Sequence, residues 1–345
     1  MIMEVDKINA DKNCIDAGVI VEIGGNHEGN IDYAYTLVDE AIGAGAKTVK
    51  LQSYTANALV NHRLAPDRAE HFKKFTIPYE QQVKIAKYIR SKGAMFMSSL
   101  WDTKSLEILD PFIEIHKVGS GDLTNYSMIS ALCQTRKPLI LSTAMADINL
   151  IKQSVRFIYN KFPEYKRSGM VALLHCVAMY GDLNDKYAHL MSIKSLKNNF
   201  PGVTIGYSDH TLGVEAAIMS LSLGSELIEV HFTDDKTRSF RDHHLSINSE
   251  ELTFLLSAYE RSRALLGNEA KDIVRPVESE ARITEFRRAC FVNKNLPVGH
   301  KITHEDLVTL RPKIGIDAMD FYKLIGKKTV IEVNELEALA WDMFD

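Results

Sequence analysis

The chain has 345 residues, of which 46% are apolar and 25% charged, as is usual for a globular protein with one large and one small domain, or two medium ones. Its net charge of −4 gives no overall positive field, so we expect neither nucleic acid nor an anionic membrane as a partner. Four widely spaced cysteines without a CxxC pair argue against structural zinc and favour reduced thiols. The first 14 residues lack an apolar core, so we expect no signal peptide and a cytoplasmic location.

Short β-branched segments alternate with segments of helical period along the first 267 residues. Helices are predicted at 32–45, 79–93 and 248–267, the last with Asn248 as N-cap and Glu251 at its third position. Strands are predicted at 18–24, 46–52, 94–99, 112–121, 138–144, 170–176, 203–208 and 226–232.

Eight such strand–helix units predict an α/β fold with a parallel sheet, of the size of a TIM (β/α)8 barrel. A doubly wound open sheet is the alternative. That fold normally carries a G-x-G-x-x-G turn after its first strand, and "EIGGNHEG" has a different spacing. We therefore expect a barrel.

The pattern changes after residue 267. Residues 268–285 are highly charged and predict a linker, and 286–345 show short strands and turns without a long helix. "LPVGHKI" is typical of a turn, and Thr303 with Asp306 is expected to cap one short helical turn. We predict domains at 1–267 and 286–345, the second too small to be very stable alone.

Polar or ionisable side chains occur at the carboxyl end of every predicted strand. In a TIM barrel this end carries the chemistry, although each residue taken singly could satisfy backbone groups or cap a helix. In chain order they are Glu22; Lys50 and Gln52; Ser98 and Ser99; Lys117, Ser120 and Asp122; Ser142 and Thr143; His175; Ser208, Asp209 and His210; and Glu229 and His231.

The types of these side chains indicate a reaction class. Two inward lysines in apolar strands are costly unless they meet anions, and with several hydroxyls they suit a phosphate or carboxylate. His210 and His231 on neighbouring strands, with Glu22 nearby, suit a divalent metal of the manganese or zinc type. The residues thus predict a metal-assisted enzyme acting on an anionic small molecule.

Several long segments of the chain resemble one known family. They are "VEIGGNHEGNIDYAYTLVDEAIGAGAKTVKLQ", "HKVGSGDLTNYSMI", "KPLILSTAM", "LLHCVAMY" and "GYSDHTLGVEAAIMSLSLGSELIEVHFTDD". In the right order they resemble the sialic acid synthase family. "RRACFVNKNLPVGHKITHEDLVTLRPKIGI", followed by "LIGKK", is similar to that family's antifreeze-like domain.

The resemblance implies a TIM barrel followed by a small antifreeze-like domain of the SAF (β-clip) type. It also implies a domain-swapped homodimer in which the small domain caps the partner's active site. The implied reaction joins phosphoenolpyruvate, an N-acetylated amino-sugar aldehyde and water into a nine-carbon 2-keto acid and phosphate. The implied cofactor is a divalent metal, Mn²⁺ or Mg²⁺.

The resemblance also assigns roles to single residues. Glu22 would position the attacking water or handle its proton, and His210 and His231 would be catalytic metal ligands. Arg311 would reach in from the partner's small domain. The residues implied for phosphoenolpyruvate are Lys50, Lys117, Ser120, Ser142 and Ser208. Those implied for the sugar are Gln52, Asp122, Tyr180, Asp242 and Phe286, together with Arg311.

The chain departs from the family pattern at four places. Ala144 stands where the family commonly has a glycine, and Ala178 where it often has a Ser or Asn that contacts phosphoenolpyruvate. Trp101 ends "SSLW" in place of "STPF", and Phe240 and Arg241 in "SFRDHH" replace a Gly-Pro pair. Because the last three changes surround the sugar position, the identity of the sugar stays open.

Two other functions fit parts of the sequence. A Schiff-base aldolase on the same barrel would use Lys117 or Lys50 as nucleophile and need no metal. A non-catalytic carbohydrate-binding homologue would keep the fold, and Ala178 is compatible with it. The presence of both lysines and both histidines favours the synthase.

Overall fold

The computed structural model describes residues 15–179, 185–239, 242–267 and 271–345. The chain forms two compact units, Met1–Gly267 and Asn268–Asp345. Among the helices of the described residues, none combines the length and the hydropathy that a membrane span requires.

The first unit is a closed barrel of eight parallel strands in sequential order, β1 to β8, each paired with its neighbours in the chain and β1 with β8. The predicted barrel is therefore confirmed, and the open sheet is excluded. The strands are Val19–Glu22, Thr48–Ser53, Met95–Leu100, His116–Val118, Leu139–Ser142, Val171–Cys176, Thr204–Ser208 and Leu227–His231.

Helices α1 to α11 lie in the connections between the strands and after β8. The predicted N-terminus of α11 is confirmed: Asn248 Oδ1 accepts from the Glu251 amide at 3.0 Å, and Glu251 Oε2 accepts from the Asn248 amide at 2.9 Å. The helices are Ile31–Gly43, Ala56–Leu59, Pro66–Lys74, Tyr79–Ser91, Thr103–Leu109, Tyr126–Gln134, Ile148–Lys161, Pro163–Arg167, Ser192–Asn199, Glu215–Ser222 and Ser249–Leu266.

The inside of the barrel has an apolar layer beneath a polar one. Side chains two residues apart on a strand point to the same face, so a buried apolar residue is followed, two positions on, by a polar residue nearer the carboxyl end. The apolar layer closes the bottom of the barrel and leaves the polar layer as the floor of a cavity. The successive pairs are Ile20 and Glu22, Met97 and Ser99, Ile115 and Lys117, Ile140 and Ser142, and Leu227 and Glu229.

The second unit has its own small core, built around an antiparallel pair, β9 (Ala289–Val292) and β10 (Leu307–Leu310). Thr303 Oγ1 donates to Asp306 Oδ2 at 2.8 Å at the start of a 3₁₀ turn, which confirms the predicted cap. Two helices complete the unit, α12 (Glu280–Phe286) and α13 (Phe321–Leu324).

Candidate active site

A cavity of about 610 Å³ opens at the carboxyl ends of the barrel strands. It brings together many of the site residues predicted from the sequence, so predicted side chains from six strand ends meet in one place. The predicted residues that line it are Glu22, Lys50, Lys117, Ser120, Asp122, Ser142, Ser208, His210 and His231.

Two buried lysines form the cationic part of the cavity. Lys117 Nζ donates to Ser142 Oγ at 2.7 Å, and Lys50 Nζ donates to Ser99 Oγ at 3.4 Å. Lys50 also forms an ion pair with Glu22, its neighbour across the β1–β2 pairing. Ammonium groups next to hydroxyls, held out of bulk water, are suited to bind a phosphate or carboxylate.

Glu229 joins the two lysines and is absent from the set predicted as site residues. Its Oε2 lies 3.5 Å from Lys117 Nζ and 4.0 Å from Lys50 Nζ, and Ser208 Oγ donates to its Oε1 at 3.0 Å. Burial acts to raise the pKa of the Glu229 carboxyl, but Lys117 and Lys50 outweigh it and hold that pKa at about 2. A permanent anion therefore fixes both lysines at the floor of the cavity.

The protonation of Lys50 sets an upper pH limit for anion binding. Burial lowers its pKa to about 8, although the Glu229 carboxylate acts in the opposite direction. Lysine is charged below its pKa, so one cation is lost as the pH rises through 8. Because kcat/KM reports the free enzyme, we expect kcat/KM for the anionic substrate to fall above pH 8, by up to tenfold per pH unit. A Lys50→Arg variant should flatten that fall, and a wild-type profile level to pH 9.5 would contradict the assignment.

A short turn after β4 supplies a further hydroxyl. Ser120 begins a 3₁₀ turn, Ser120–Asp122, and its Oγ accepts from the Ala144 amide at 3.0 Å. Asn125 Nδ2 donates to Asp122 Oδ1 at 3.0 Å. After β5, the residue with a left-handed backbone is Met145 (φ 60°), not Ala144. An alanine in place of the family's glycine at position 144 therefore causes no backbone strain from a positive φ.

His210 and His231 lie side by side at the ends of β7 and β8, both buried, with ring centroids 5.2 Å apart and ring planes 57° apart. Burial, and then the neighbouring His231, lower the pKa of His210 to about 3, so its imidazole is neutral, the form that binds metals. Two imidazoles on one ion, at metal–nitrogen distances of about 2.1 Å, have ring centres within about 6.5 Å of each other. The pair therefore fits a divalent metal.

Within the described residues, no group of three or more His, Cys, Asp or Glu has the arrangement of a metal site. The protein would thus offer two nitrogens, and other positions would be left to oxygens of substrate or water. Cys176 Sγ lies 3.7 Å from His210 Nδ1. Burial raises the pKa of this thiol to about 11, so in the absence of a metal the thiol is protonated at neutral pH.

Other predicted residues lie at different places. Gln52 is beside Glu22: a Cβ added to Gly24 (φ 26°) would lie 2.5 Å from Glu22 Oε1 and 2.9 Å from Gln52 Nε2. Asp242 is buried, and its carbonyl accepts from Ser246 Oγ at 2.6 Å. Neither Gln52 nor Asp242 is among the described residues that line the cavity.

Three other residues predicted for the sugar site are not among the described residues that line the cavity. Tyr180 lies outside the described residues. Phe286 and Arg311 belong to the second unit, where the Arg311 guanidinium carbon is 5.4 Å from the centroid of the Phe286 ring. Their relation to the barrel stays a prediction.

One wall of the cavity was not predicted from the sequence. It comes from α2, α3 and the connection between them, and it contributes Leu59, Val60, Asn61, Arg68 and Phe72. Trp101 after β3, which the sequence places around the sugar position, lies beside it. Phe72 lies in a short, charged helix and has the pattern of an ordinary packing residue. No motif marks this segment as part of a site.

Comparison with known proteins assigns the chain to a family. The NeuB family model matches residues 37–271, and an SAF domain model matches residues 287–345. The chain belongs to the NeuB family. The first match covers most of the barrel and the second covers the small unit from residue 287 to its end, so the predicted SAF-type domain is confirmed.

Relatives of this NeuB-family chain match it almost from end to end. An uncharacterized protein of Methanocaldococcus jannaschii is 33% identical over 94% of this chain and 93% of its own length. The N,N'-diacetyllegionaminic acid synthase of Legionella pneumophila is 30% identical, again over 94% and 93%. The prediction that the chain is an enzyme of the synthase type is confirmed by such relatives.

A solved structure supports the same assignment. The N-acetylneuraminic acid (sialic acid) synthetase from Leptospira borgpetersenii, in complex with citrate, superposes with a TM-score of 0.70. It is 28% identical and covers 78% of this chain and 91% of that chain.

Proposed function

We propose that this enzyme condenses phosphoenolpyruvate with an N-acetylated amino-sugar aldehyde and water, giving a nine-carbon 2-keto acid and phosphate. The observation that carries the proposal is the position of two buried lysines, with four serine hydroxyls, beside a pair of buried histidines in one cavity. The first group suits the phosphate and carboxylate of phosphoenolpyruvate. The second suits an ion that binds the aldehyde.

The bonds of the proposed reaction balance as follows. The methylene carbon of phosphoenolpyruvate, C3, attacks the aldehyde carbon, and the aldehyde oxygen takes a proton. Water adds to C2 and loses a proton. The bond between C2 and the bridging oxygen then breaks, so phosphate leaves with that oxygen and takes the remaining proton of the C2 hydroxyl, and C2 becomes the ketone.

Different residues of the cavity would serve different steps of this reaction. Lys50, Lys117 and the serines would hold the anionic groups of phosphoenolpyruvate and stabilise the charge that the departing phosphate gains. Glu22, ion-paired with Lys50, would orient the attacking water and take its proton. A divalent metal on His210 and His231, Mn²⁺ or Mg²⁺, would polarise the sugar aldehyde as a Lewis acid.

A Schiff-base aldolase is the alternative that one observation favours, because burial lowers the pKa of Lys50 and a neutral lysine is a nucleophile. Against it, Lys50 pairs with Glu22, and Lys117 contacts the Glu229 carboxylate. Both carboxylates favour charged lysines.

A coupled assay separates the two reactions. Phosphate release should need both phosphoenolpyruvate and an N-acetylated sugar, stop in excess EDTA and return when Mn²⁺ is added. Full turnover in EDTA, with covalent trapping of the substrate by borohydride, would favour the aldolase. Steady phosphate release from phosphoenolpyruvate alone would count against the synthase.

We further propose a homodimer in which Arg311 of one chain completes the site of the other, as the resemblance implies. Arg311→Ala and His210→Ala proteins should each be nearly inactive. After the two are mixed and allowed to exchange subunits, activity should reappear, because a mixed dimer holds one intact barrel opposite one intact Arg311. Absence of activity in mixtures whose subunit exchange is verified by mass would contradict an arginine acting in trans.

A further inference from the structure

The cavity has two chemically different sides. The lysines and serines form one side, close to the strand ends. A second side is formed by the segment carrying α2 and α3 with Trp101 next to it, and four of these six lining residues are apolar: Leu59, Val60, Phe72 and Trp101, besides Asn61 and Arg68. If the anionic groups of phosphoenolpyruvate occupy the first side, the second is left for the sugar.

Trp101 is held firmly on this second side. Its amide donates to the Ser53 carbonyl at 3.1 Å. Its ring stacks on Tyr54, with centroids 5.0 Å apart and planes 30° apart, and meets Phe72 edge to face at 6.4 Å. Tyr54 in turn packs edge to face on Phe72 at 5.4 Å. We call Tyr54, Phe72 and Trp101 the aromatic wall; Phe72 and Trp101 line the cavity, and Tyr54 supports them from behind.

The aromatic wall reaches the turn that carries the phosphate-binding serine. The indole Nε1 of Trp101 is 3.6 Å from the position that a Cβ on Gly119 would occupy, and Gly119 directly precedes Ser120. A sugar that reacts with phosphoenolpyruvate held at Ser120 would therefore lie against the indole.

The charges on this side do not suit a phosphate ester on the sugar. Among the described residues that line the cavity, Arg68 is the one cation besides the two buried lysines, and its guanidinium carbon lies 5.7 Å from the Phe72 ring centroid. A phosphate dianion placed here would lose part of its hydration to the apolar side chains, and it would gain only one exposed arginine as a partner. A methyl group would instead gain contact with aromatic rings.

We propose that Trp101 determines acceptor specificity by packing against methyl groups, and that the acceptor is a deoxy amino sugar with two acetamido groups rather than a hexosamine phosphate. This inference rests on the proposed condensation. It assigns Trp101 a contact with the sugar only, so phosphoenolpyruvate binding should not depend on the indole.

The test compares three acceptors in the phosphate-release assay with the full-length protein: 2,4-diacetamido-2,4,6-trideoxymannose, N-acetylmannosamine and N-acetylmannosamine 6-phosphate. We expect the first to have the highest kcat/KM. Trp101→Ala should raise its KM about tenfold or more, leave the KM for phosphoenolpyruvate within about twofold, and change the KM for N-acetylmannosamine much less. Trp101→Phe should recover part of the loss.

Two results would overturn the inference while the proposed function stands. One is a highest kcat/KM for the 6-phosphate. The other is an equal effect of Trp101→Ala on all three acceptors. The matched control is Trp341→Phe. Trp341 is the other tryptophan of the chain and lies in the second unit.

A binding measurement separates this inference from the reaction. In the Trp341→Phe protein, Trp101 is the single tryptophan, so its emission reports on the aromatic wall. With inorganic phosphate in place of phosphoenolpyruvate, the diacetamido sugar should shift that emission, and the 6-phosphate should not. If no sugar supports phosphate release, the proposed function fails, and the emission still decides whether Trp101 contacts the sugar; an unchanged emission at saturating sugar would refute the contact.

Discussion

Replacing His210 or His231 with alanine is expected to lower kcat/KM about a thousandfold or more and to abolish high-affinity Mn²⁺ binding. Each change removes one of the two imidazole nitrogens that would hold the proposed metal. The rate loss corresponds to about 4 kcal/mol of transition-state stabilisation, within the several kcal/mol that a Lewis-acid metal supplies. Isothermal titration with Mn²⁺ measures the binding independently of turnover.

A matched control distinguishes a lost ligand from a damaged barrel. His116 is also buried on a strand, where its Nε2 lies 3.1 Å from Asp110 Oδ1, and it is absent from the lining of the cavity. His116→Asn should lower thermal stability and leave Mn²⁺ affinity unchanged. Unaltered Mn²⁺ affinity in both His210→Ala and His231→Ala would refute the ligand assignment.

Replacing Lys117 with methionine is expected to raise the KM for phosphoenolpyruvate about a hundredfold or more. Lys117 Nζ contacts Ser142 and Glu229, and the change removes a buried cation while leaving the Glu229 carboxylate facing the incoming anion. Truncating one member of a buried charge pair costs about 2–5 kcal/mol. The KM for the sugar should change far less, which steady-state kinetics with each substrate varied in turn would show.

Lys137 provides the comparison for Lys117. It forms an ion pair with Asp110 at 2.8 Å just before β5, away from the cavity. Lys137→Met should affect thermal stability and leave both KM values within about twofold. A normal KM for phosphoenolpyruvate in the Lys117→Met protein would contradict a phosphate site at the floor of the barrel.

The barrel could be predicted from the sequence because its strands and helices have different periods. Each predicted strand overlaps an observed one, as 203–208 does with β7, Thr204–Ser208. The fourth was placed at 112–121, but β4 is His116–Val118. Short 3₁₀ turns, Asp110–Phe112 and Ser120–Asp122, flank it, and the apolar residues Phe112, Ile113 and Ile115 extend the strand-like pattern ahead of its observed start.

The polar floor of the cavity could also be predicted, because strand ends in a parallel barrel converge. The positions of Lys117, Ser142 and His231 follow from that rule alone. Glu229 is among the predicted strand ends, but the sequence assigns it no role in the site. Its importance comes from contacts with Lys50 and Lys117 on other strands, and a sequence does not show which carboxylate a lysine will meet.

The aromatic wall could not be predicted, because its contacts are between residues far apart in the chain. Tyr54 follows β2, Phe72 lies in α3 and Trp101 follows β3. Each has the local pattern of a packing residue, and only the fold turns two of them toward the cavity. The sequence marked Trp101 as a departure from the family pattern without indicating its neighbours.

The proposed condensation is tested most directly by the fate of the bridging oxygen of phosphoenolpyruvate. Substrate labelled with ¹⁸O between C2 and phosphorus is incubated with the enzyme, Mn²⁺ and an accepted sugar, and the released phosphate is examined by ³¹P NMR or mass spectrometry. We predict that the phosphate carries the ¹⁸O and that the new ketone oxygen comes from water. Unlabelled phosphate, with ¹⁸O retained in the organic product, would contradict the proposed condensation.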